Sequence, residues 1–256
     1  MFDSGLGGLT VFREVKAARP DARFIYLADD AFFPYGAHGE AELVGRVVPL
    51  MGTLIDRYRP SLIIIACNTA STLVLPHLRE RYDVPFVGTV PAIKPACAAS
   101  QTKRVSVLGT EGTVAREYTR ALIRDFGNGA DVTLVGSAKL AAIAEAELRG
   151  DAASDAAIAQ EIAPCFVDED GRRTDTIVLA CTHFPLLLAR LERLAPWPVG
   201  FIDPAPAIAR RVVELIGRSA ETTSATPAEI TFTTGKPPSE ALKATLARFG
   251  LTSISR

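Results

Sequence analysis

The stretch Leu-Ile-Ile-Ile-Ala-Cys-Asn-Thr at residues 62–69 decides the fold class. An apolar run of strand length leads directly into the Cys67 thiol and then into small polar residues. A continuous apolar run predicts a strand that is buried on both faces, as strands of parallel sheets are. Residues that follow such a strand lie at the carboxyl edge of the sheet, where open α/β proteins build their active sites. Cys67 is therefore the first candidate functional residue.

A second stretch repeats this arrangement nearly half a chain later. Residues 177–180, Ile-Val-Leu-Ala, lead into Cys181, Thr182 and His183. Two thiols at the ends of two buried strands predict an α/β fold of two similar lobes, each a mostly parallel sheet flanked by helices. The active site is expected in the cleft between the lobes, with one thiol from each lobe.

The rest of the chain alternates apolar runs of strand length with helical patterns, which is typical of parallel sheets covered by helices. The predicted strands are 24–27, 62–66, 84–87, 105–108, 132–135, 176–180, 199–202 and 230–234. Helices are predicted over 43–58, over 114–126 and after Asp203. Residues 168–173 and 219–228 are predicted to be surface loops.

Particular residues shape the three predicted helices. Pro49 lies inside the first helix and is expected to kink or break it. Thr113 is the predicted N-cap of the second helix, and Gly127 its stop. Apolar residues at helical spacing define the predicted buried faces of two of these helices. The face of the first helix consists of Leu43, Val47, Met51, Leu54 and Tyr58. The face of the third consists of Ile208, Val212, Leu215 and Ile216.

The composition excludes several functional classes. Of the 256 residues, 48% are hydrophobic and 22% are charged, which is typical of a globular protein. The formal net charge is -1 and no basic cluster is present, so no nucleic-acid partner is indicated. No apolar run is long enough to cross a membrane and no signal peptide is recognisable, which predicts a cytoplasmic protein. The four cysteines have neither disulfide-framework nor zinc-site spacing, and in a reducing compartment they stay free thiols.

Two glycine-containing turns are further candidates. Residues 3–8, Asp-Ser-Gly-Leu-Gly-Gly, present a carboxylate and a hydroxyl, without the Rossmann spacing or the P-loop lysine. By itself a capped turn before a helix is the better explanation, but the position at a first strand-to-helix turn raises its functional interest. Residues 34–36, Pro-Tyr-Gly, form a tight turn whose N–H groups can converge on an anion, although by itself an ordinary turn explains it better.

His183 lies two residues after Cys181, where it can exchange protons with the thiol. Nearby charge and a helix N-terminus are expected to lower the pKa of such thiols. A zinc site at Cys181 and His183 would lack ligands, and no lysine lies in a loop suited to a Schiff base, so neither a metal nor a cofactor is predicted. Cys97 and Cys165 are predicted to be packing residues. Two thiols without a cofactor suit a reaction that removes a hydrogen from one face of a carbon and returns one to the other.

Six motifs, in family order across almost the whole chain, resemble the cofactor-independent glutamate racemases. They are FDSGLGGLTV (2–11), PYG (34–36), ACNTAS (66–71), VLGTEGTV (107–114), ACTHFPLL (180–187) and FTTG (232–235). Aspartate and hydantoin racemases share the two-cysteine plan, but the histidine after Cys-Thr and the DSG-x-GG start favour the glutamate branch. The resemblance implies an isomerase that interconverts L- and D-glutamate and supplies D-glutamate for peptidoglycan.

The resemblance also implies roles for individual residues. Cys67 and Cys181 would be the acid/bases on the two faces of the substrate α-carbon. Asp3 and His183 would assist their nearby thiols and help to hold the substrate ammonium, and Glu145 would support His183. The implied ligands of the α-carboxylate are Asn68, Thr69, Thr113 and Thr182. The substrate would also be held by Ser4 and by the N–H groups of Tyr35 and Gly36, the latter pair at its side-chain carboxylate.

The family fold implies that a second lobe, residues 94–203, is inserted into a first lobe formed by residues 1–93 and 204–256. A homodimer is one assembly state that the family allows, although no surface in the sequence identifies an interface. Two alternatives stay open: a racemase of another amino acid such as aspartate, and an amino-acid-binding relative that has lost turnover. Retention of both cysteines with Asp3 and His183 argues against such a loss, because a pure binding protein needs neither thiol.

The chain departs from the family pattern in four places. Only two residues precede the turn at Asp3, and we expect that restoring an upstream segment would raise activity or stability. The pair Phe32-Phe33 stands before the Pro-Tyr-Gly turn where many relatives have an arginine and a cysteine, so no charge contact is expected from that loop. Pro49 interrupts a helix that is otherwise regular, and the spacing around Glu145 differs from the commoner pattern.

Overall fold

The structure, a computed structural model, describes residues 1–217 and 227–255. Its strands are β1 (Phe2–Asp3), β2 (Ile25–Ala28), β3 (Ile63–Ile65), β4 (Phe86–Gly88), β5 (Arg104–Thr110), β6 (Asp131–Ser137), β7 (Asp168–Glu169), β8 (Arg172–Arg173), β9 (Thr176–Ala180), β10 (Gly200–Ile202), β11 (Ala228–Phe232) and β12 (Leu251–Ser255). Its α-helices are α1 (Leu9–Ala18), α2 (Glu40–Tyr58), α3 (Asn68–Arg81), α4 (Ile93–Ala99), α5 (Glu111–Ala115), α6 (Glu117–Phe126), α7 (Leu140–Leu148), α8 (Asp155–Ile162), α9 (Leu188–Leu194), α10 (Ala205–Ile216) and α11 (Glu240–Phe249). Short 3-10 helices span Asp30–Phe32, Tyr35–Ala37, Ala163–Cys165 and Phe184–Leu187.

Two sheets form the two lobes. The first has the strand order β12-β11-β2-β1-β3-β4 and the second has the order β10-β9-β5-β6. All neighbouring strands in both sheets are parallel. A separate antiparallel hairpin pairs β7 with β8. The predicted fold class, two α/β lobes with parallel sheets flanked by helices, is confirmed.

Each sheet has a point at which the strand order reverses. In the first sheet the chain passes from β1 to β2 on one side and later returns to β3 on the other side of β1. In the second sheet β5 is flanked in the same way by β6 and β9. Ligand crevices form outside the carboxyl ends of strands at such points. Asp3 ends β1, Cys67 follows β3, Thr110 ends β5 and Cys181 follows β9, so all four residues lie at these reversal points.

Alternating residues of the central strands pack against helices on opposite faces. Ile63 and Ile65 share an apolar cluster with residues of α2 and α3, whereas Ile64 belongs to a cluster with α1 and α10. In the second lobe, α4 covers one face of the sheet, and α7, α8 and α9 cover the other. Full burial of one such aliphatic side chain contributes roughly 1.5–3 kcal/mol. Burial on both faces explains why these strands read as unbroken apolar runs.

All eight predicted strands are present, with small shifts at their ends. The structure adds β1, β12 and the β7–β8 hairpin, so the surface loop predicted for 168–173 is in fact a short hairpin. Most of the loop predicted for 219–228 lies outside the described residues, and its last residue, Ala228, opens β11.

The first predicted helix is present as α2, but the expected break at Pro49 does not occur. Pro49 has no N–H, so the Gly45 carbonyl, four residues earlier, lacks its intrahelical hydrogen-bond donor. Both residues are exposed. Water can therefore solvate that carbonyl. The carbonyl of Val48, the residue before the proline, accepts a hydrogen bond from the Tyr82 hydroxyl at 2.8 Å.

The predicted helix 114–126 is divided into α5 and α6, with Arg116 in an extended conformation between them. Thr113 is not its cap. Instead, Thr110 caps α5, because its Oγ1 accepts the Thr113 N–H at 3.2 Å. The C-cap of α6 is Gly127, as predicted.

The third predicted helix is α10, and the predicted burial is wrong for one residue of its apolar face. Ile208 and Val212 are buried, but Leu215 is 42% exposed. The buried face of α10 includes Ala205 and Ala209, which places Leu215 at its edge.

Within the described residues, no helix is long and apolar enough to span a membrane. The expected lobe boundaries, 93/94 and 203/204, fall in connections between strands of different sheets and stay a prediction.

Candidate active site

A narrow cavity lies between the carboxyl edges of the two sheets, with walls from both lobes. It is lined by Ser4, Phe33, Pro34, Tyr35, Gly36, Cys67, Asn68, Thr69, Thr110, Thr113, Ala141, Cys181, Thr182 and His183. Its accessible volume of ≈ 20 Å³ is room for about one water molecule. Both lobes therefore build this site.

The Cys67 thiol occupies the N-cap position of α3 and is 7% exposed. Burial, reinforced by the neighbouring Asp3 carboxylate, raises the pKa of Cys67 to about 12. Hydrogen bonds from the Ala70 N–H and the Ser4 hydroxyl oppose this shift without cancelling it. The prediction of a lowered thiol pKa is therefore wrong for Cys67, because the helix N-terminus does not compensate for burial beside an anion.

Asp3 is fully buried beside Cys67. Its Oδ2 accepts the N–H groups of Gly5 at 3.2 Å and Gly8 at 3.1 Å, and its Oδ1 accepts the Thr182 hydroxyl at 3.4 Å. Burial raises the pKa of Asp3, although the charge of a nearby histidine and the two N–H groups oppose the shift. The Thr182 contact also joins the two lobes at this point.

Cys181 has a histidine as its neighbour where Cys67 has a carboxylate. The Cys181 Sγ lies 3.8 Å from Nδ1 of His183, and Nε2 of His183 lies 2.9 Å from Oε1 of Glu145. All three side chains are buried. Burial lowers the pKa of His183, but its hydrogen bonds and charge interactions with Cys181 and Glu145 outweigh burial and raise that pKa well above its usual value. The imidazolium form donates from both ring nitrogens, one to the sulfur and one to the carboxylate.

Glu145 links His183 to the first lobe. Burial acts to raise the pKa of Glu145, but the hydrogen bond and charge of His183 outweigh burial and lower it, so the side chain is a carboxylate. Its Oε1, which is bonded to His183, also accepts the N–H of Leu6 at 2.5 Å. Its Oε2 lies 3.3 Å from Nη2 of Arg149, the residue that follows α7. A series of charged side chains therefore runs from the surface to Cys181.

Gly5 and Gly7 allow the turn at residues 3–8 to approach the second lobe closely. A Cβ atom at Gly7 would overlap the His183 ring, and one at Gly5 would overlap the Glu145 carboxylate. The Gly7 N–H also lies 3.1 Å from Nε2 of His183. The turn is therefore a contact between the lobes as well as the start of α1.

Asn68 presents an amide without partners. The residue is 2% exposed, and neither its side-chain nitrogen nor its oxygen has a hydrogen-bond partner among the described residues. A buried polar group left without a partner costs about 1–3 kcal/mol. Nearby, the hydroxyls of Thr69, Thr110 and Thr113 lie 3.0 to 3.3 Å apart from one another. Together these side chains form a group of donors at one wall of the cavity.

The turn at residues 34–36 forms another wall. Tyr35 and Gly36 open a 3-10 helix, so their N–H groups have no acceptor within that helix. The Tyr35 hydroxyl donates to the buried Asp29 carboxylate at 2.5 Å. The Phe33 ring packs against His183 with centroids 5.4 Å apart, so this loop supplies an apolar contact to the site.

The structure brings nearly all the predicted site residues to one cavity, whereas Asp3 and Glu145 lie outside its lining. The sequence analysis missed Thr110 and Ala141 as lining residues and Asp29 as the partner of Tyr35. Thr110 ends β5 at a reversal point, so the rule that found Cys67 could have found it. Asp29 directly follows β2, so the same rule could have found it as well, whereas no local signal marks Ala141.

Cys97 and Cys165 are buried in apolar clusters of the second lobe, as predicted for packing residues. Among the described residues, no group of three or more His, Cys, Asp or Glu side chains is arranged to hold a metal ion.

Comparisons with known proteins agree on the family. The profile of the Asp/Glu/Hydantoin racemase family matches residues 10–212. Glutamate racemase of Brucella canis is 52% identical over 253 residues, which cover 98% of this chain and 91% of that protein. Escherichia coli glutamate racemase, in complex with L-glutamate and the activator UDP-MurNAc-Ala, has a similar structure, with a TM-score of 0.90 and 40% identity over 99% of this chain and 95% of that chain.

A second solved structure, Thermus thermophilus glutamate racemase in complex with β-chloro-D-alanine, is similar with a TM-score of 0.74. It is 28% identical and covers 100% of this chain and 94% of its own. The family match spans most of the chain and includes both cysteines that face the cavity. The chain belongs to the Asp/Glu/Hydantoin racemase family.

Proposed function

We propose that the protein is a glutamate racemase, which interconverts L- and D-glutamate without a cofactor. The observation that carries the proposal is the pair of buried thiols, Cys67 and Cys181, that line one cavity from the reversal points of two sheets. A substrate between two acid/bases can lose a proton on one face and gain one on the other. The choice of glutamate rests on the relatives, since proteins 52% and 40% identical to this chain are glutamate racemases.

The substrate would be held by donors on two walls of the cavity. The proposed ligands of the α-carboxylate are Asn68, Thr69, Thr113 and Thr182. A carboxylate next to Asn68 would satisfy an amide nitrogen that has no hydrogen-bond partner among the described residues. Ser4 would contact the substrate, and the N–H groups of Tyr35 and Gly36 would bind its side-chain carboxylate.

Racemisation needs one thiolate and one thiol. For one enantiomer, the Cys67 thiolate takes the α-proton while the Cys181 thiol gives its proton to the opposite face of the α-carbon. One C–H bond breaks and another forms, and the two sulfurs exchange protonation states. The other enantiomer reacts in the reverse direction. Donors around the α-carboxylate stabilise the negative charge that develops on the substrate.

The two thiols would become thiolates with the help of different cations. Cys181 has His183 beside it, and His183 is held by Glu145. Cys67 has Asp3 beside it and a pKa of about 12 before substrate binds. The ammonium group of the substrate, bound near Asp3, would supply positive charge on that side and lower the pKa of Cys67.

Opening and closing of the lobes would be part of the cycle. Both lobes build the walls of this narrow cavity, so glutamate would enter while the lobes are apart. Closure would then exclude water, which strengthens the electrostatic interactions around the α-carbon.

The test is to follow the circular dichroism of L-glutamate, and separately of D-glutamate, with purified protein and no added cofactor. Decay of both signals to zero would support the proposal. Activity on L-aspartate without activity on glutamate would keep the thiol chemistry and replace the substrate. Glutamate binding in a calorimeter without any racemisation would favour the non-catalytic relative.

We further propose that the enzyme works in the cytoplasm and supplies D-glutamate for peptidoglycan. Residues 1–93 with 204–256 would form one lobe, and residues 94–203 the other. A homodimer stays an expectation from the family, which light scattering of the purified protein would test.

A further inference from the structure

A buried carboxylate outside the cavity ties three separate segments together. Asp29 follows β2 and is fully buried. It accepts hydrogen bonds from the Tyr35 hydroxyl at 2.5 Å and from the Thr233 hydroxyl at 2.7 Å. It also accepts bonds from Nη2 and Nε of Arg46, at 2.6 and 3.1 Å. The partners belong to the turn at 34–36, to the end of β11 and to α2, so a single side chain joins three elements that meet at the site.

These partners keep Asp29 ionised although it is buried. Burial acts to raise the pKa of Asp29, but hydrogen bonds from Arg46, Tyr35 and Thr233 outweigh burial and lower it. Hydrogen bonds to a charged group are shorter than neutral ones and roughly twice as strong. The bond from the Tyr35 hydroxyl is therefore a strong restraint on that side chain.

Tyr35 passes the restraint to the cavity wall. Its ring is buried and lies near those of Phe2 and Phe32, with centroids 6.2 and 6.1 Å away. On the other side of the turn, Gly36 lies against Thr110, since a Cβ at Gly36 would be 3.1 Å from the Thr110 Cβ. The hydroxyl, the ring and the following glycine are all in contact, which leaves the backbone between them little freedom. The bond to Asp29 is therefore one of the contacts that restrain the direction of the Tyr35 and Gly36 N–H groups.

We propose that Asp29 is a positioning residue for substrate recognition. Through Tyr35, it aims the two N–H groups that bind the side-chain carboxylate of the substrate. This inference rests on the proposed function and deepens it, because it assigns part of the affinity for the second carboxylate to a residue that does not line the cavity. Binding groups must be held within about 0.5 Å of their productive positions, and the supporting contacts provide that precision.

Tyr35→Phe is the first test, because it removes only the hydroxyl that reaches Asp29. We expect KM for glutamate to rise roughly tenfold while kcat changes less than about threefold. The two constants separate because the side-chain carboxylate is remote from the α-carbon. Its binding is lost equally in the ground state and in the transition state, which raises KM alone.

Tyr82→Phe is the matched control. The Tyr82 hydroxyl also donates to a neighbouring element, at 2.8 Å from the Val48 carbonyl on α2, but the residue is outside the cavity lining. Its removal should leave KM unchanged, whatever its effect on the unfolding temperature. Thr233→Val should reproduce a smaller rise in KM, and Thr233→Ser, which keeps the hydroxyl, should restore the wild-type value. The two Thr233 variants also test the positioning role of Asp29 if Tyr35→Phe does not fold.

The outcomes separate this inference from the function on which it rests. An active wild type with unchanged KM in Tyr35→Phe and Thr233→Val would overturn the positioning role and leave the racemase proposal intact. A rise in KM of the same size in Tyr82→Phe would also overturn it, because the effect would then be a general loss of structure. A wild type that does not racemise glutamate would refute the proposed function itself.

Discussion

Replacing Glu145 by glutamine tests how the Cys181 side of the site works. The substitution keeps the shape of the side chain and one of its oxygens, and it removes the negative charge. In the structure a single oxygen, Oε1, accepts both the Leu6 N–H and the His183 Nε2–H. An amide oxygen can retain both bonds, so the main loss is the charge interaction with His183.

The geometry sets the size of the effect. Two unit charges 2.9 Å apart interact by roughly 6 kcal/mol at an effective dielectric constant of about 20. Desolvation of a buried pair cancels much of this energy, and the amide keeps the hydrogen bonds. We therefore expect a loss of about 1–3 kcal/mol in transition-state stabilisation, which lowers kcat/KM by roughly one to two orders of magnitude.

The pair also makes stability depend on pH. The pKa of His183 is raised on folding, so its contribution is complete below its ordinary pKa of 6.5 and is lost as pH rises through the folded value. The pKa of Glu145 is lowered, so its contribution is complete above its ordinary pKa of 4.5 and is lost as pH falls through the folded value. The difference in the free energy of unfolding between wild type and Glu145→Gln should be largest between these two values.

The assay is racemisation of each enantiomer by circular dichroism from about pH 6 to 9, with urea unfolding from about pH 3 to 8. L- and D-glutamate have equal free energies, so kcat/KM must fall by the same factor for both. Glu147→Gln is the matched control, because Glu147 lies on the same helix and pairs with Arg190 outside the cavity lining. Wild-type kcat/KM in Glu145→Gln across the pH range would refute the reasoning.

Three other changes test separate parts of the site. Cys67→Ser or Cys181→Ser should abolish racemisation, because a serine hydroxyl is far less acidic than a thiol. NMR should still detect exchange of the α-proton with solvent for one enantiomer. Full activity in either variant would contradict the two-thiol scheme. Gly7→Ala should lower kcat and destabilise the fold by roughly 1–3 kcal/mol, because the added Cβ overlaps the His183 ring. Unchanged racemisation and unchanged urea unfolding would show that the ring is free to move. Asn68→Leu should unfold at the same or a higher urea concentration, because it removes a buried amide without partners. Its KM for glutamate should nevertheless rise about tenfold or more. Lower stability with an unchanged KM would count against the role of Asn68 as a substrate ligand.

The sheets could be predicted from the sequence because central strands of parallel sheets are apolar without interruption. Strands without such a run were missed. The strand β1 has only two residues, and β12 lies at the edge of its sheet, where Leu251 is followed by polar residues. The β7–β8 hairpin is short, charged and exposed, so its residues resemble a loop.

The candidate site was predictable where a side chain follows a strand, and not where it depends on distant partners. Cys67 and Cys181 follow apolar runs directly. Asp29 also follows a strand, but its role depends on contacts with Arg46 and Thr233, which are distant in sequence. The same limit explains the wrong expectation for the pKa of Cys67. The helix N-terminus is visible in the sequence, but burial beside Asp3, which reverses its effect, is not.

The two thiols are alike in sequence and differ in the charge beside them. Asp3 lies next to Cys67 and raises the pKa of that thiol, whereas the ring of His183 lies 3.8 Å from the Cys181 sulfur. Under the proposed mechanism, the two enantiomers would therefore react at sulfurs with different neighbours. The enantiomer whose α-hydrogen faces Cys67 would require a thiolate there, which its own ammonium group would help to form. Because the enantiomers have equal free energies, this asymmetry cannot change the ratio of their kcat/KM values. It would appear instead as a kcat that is higher for one enantiomer, together with a KM that is higher for that enantiomer by the same factor.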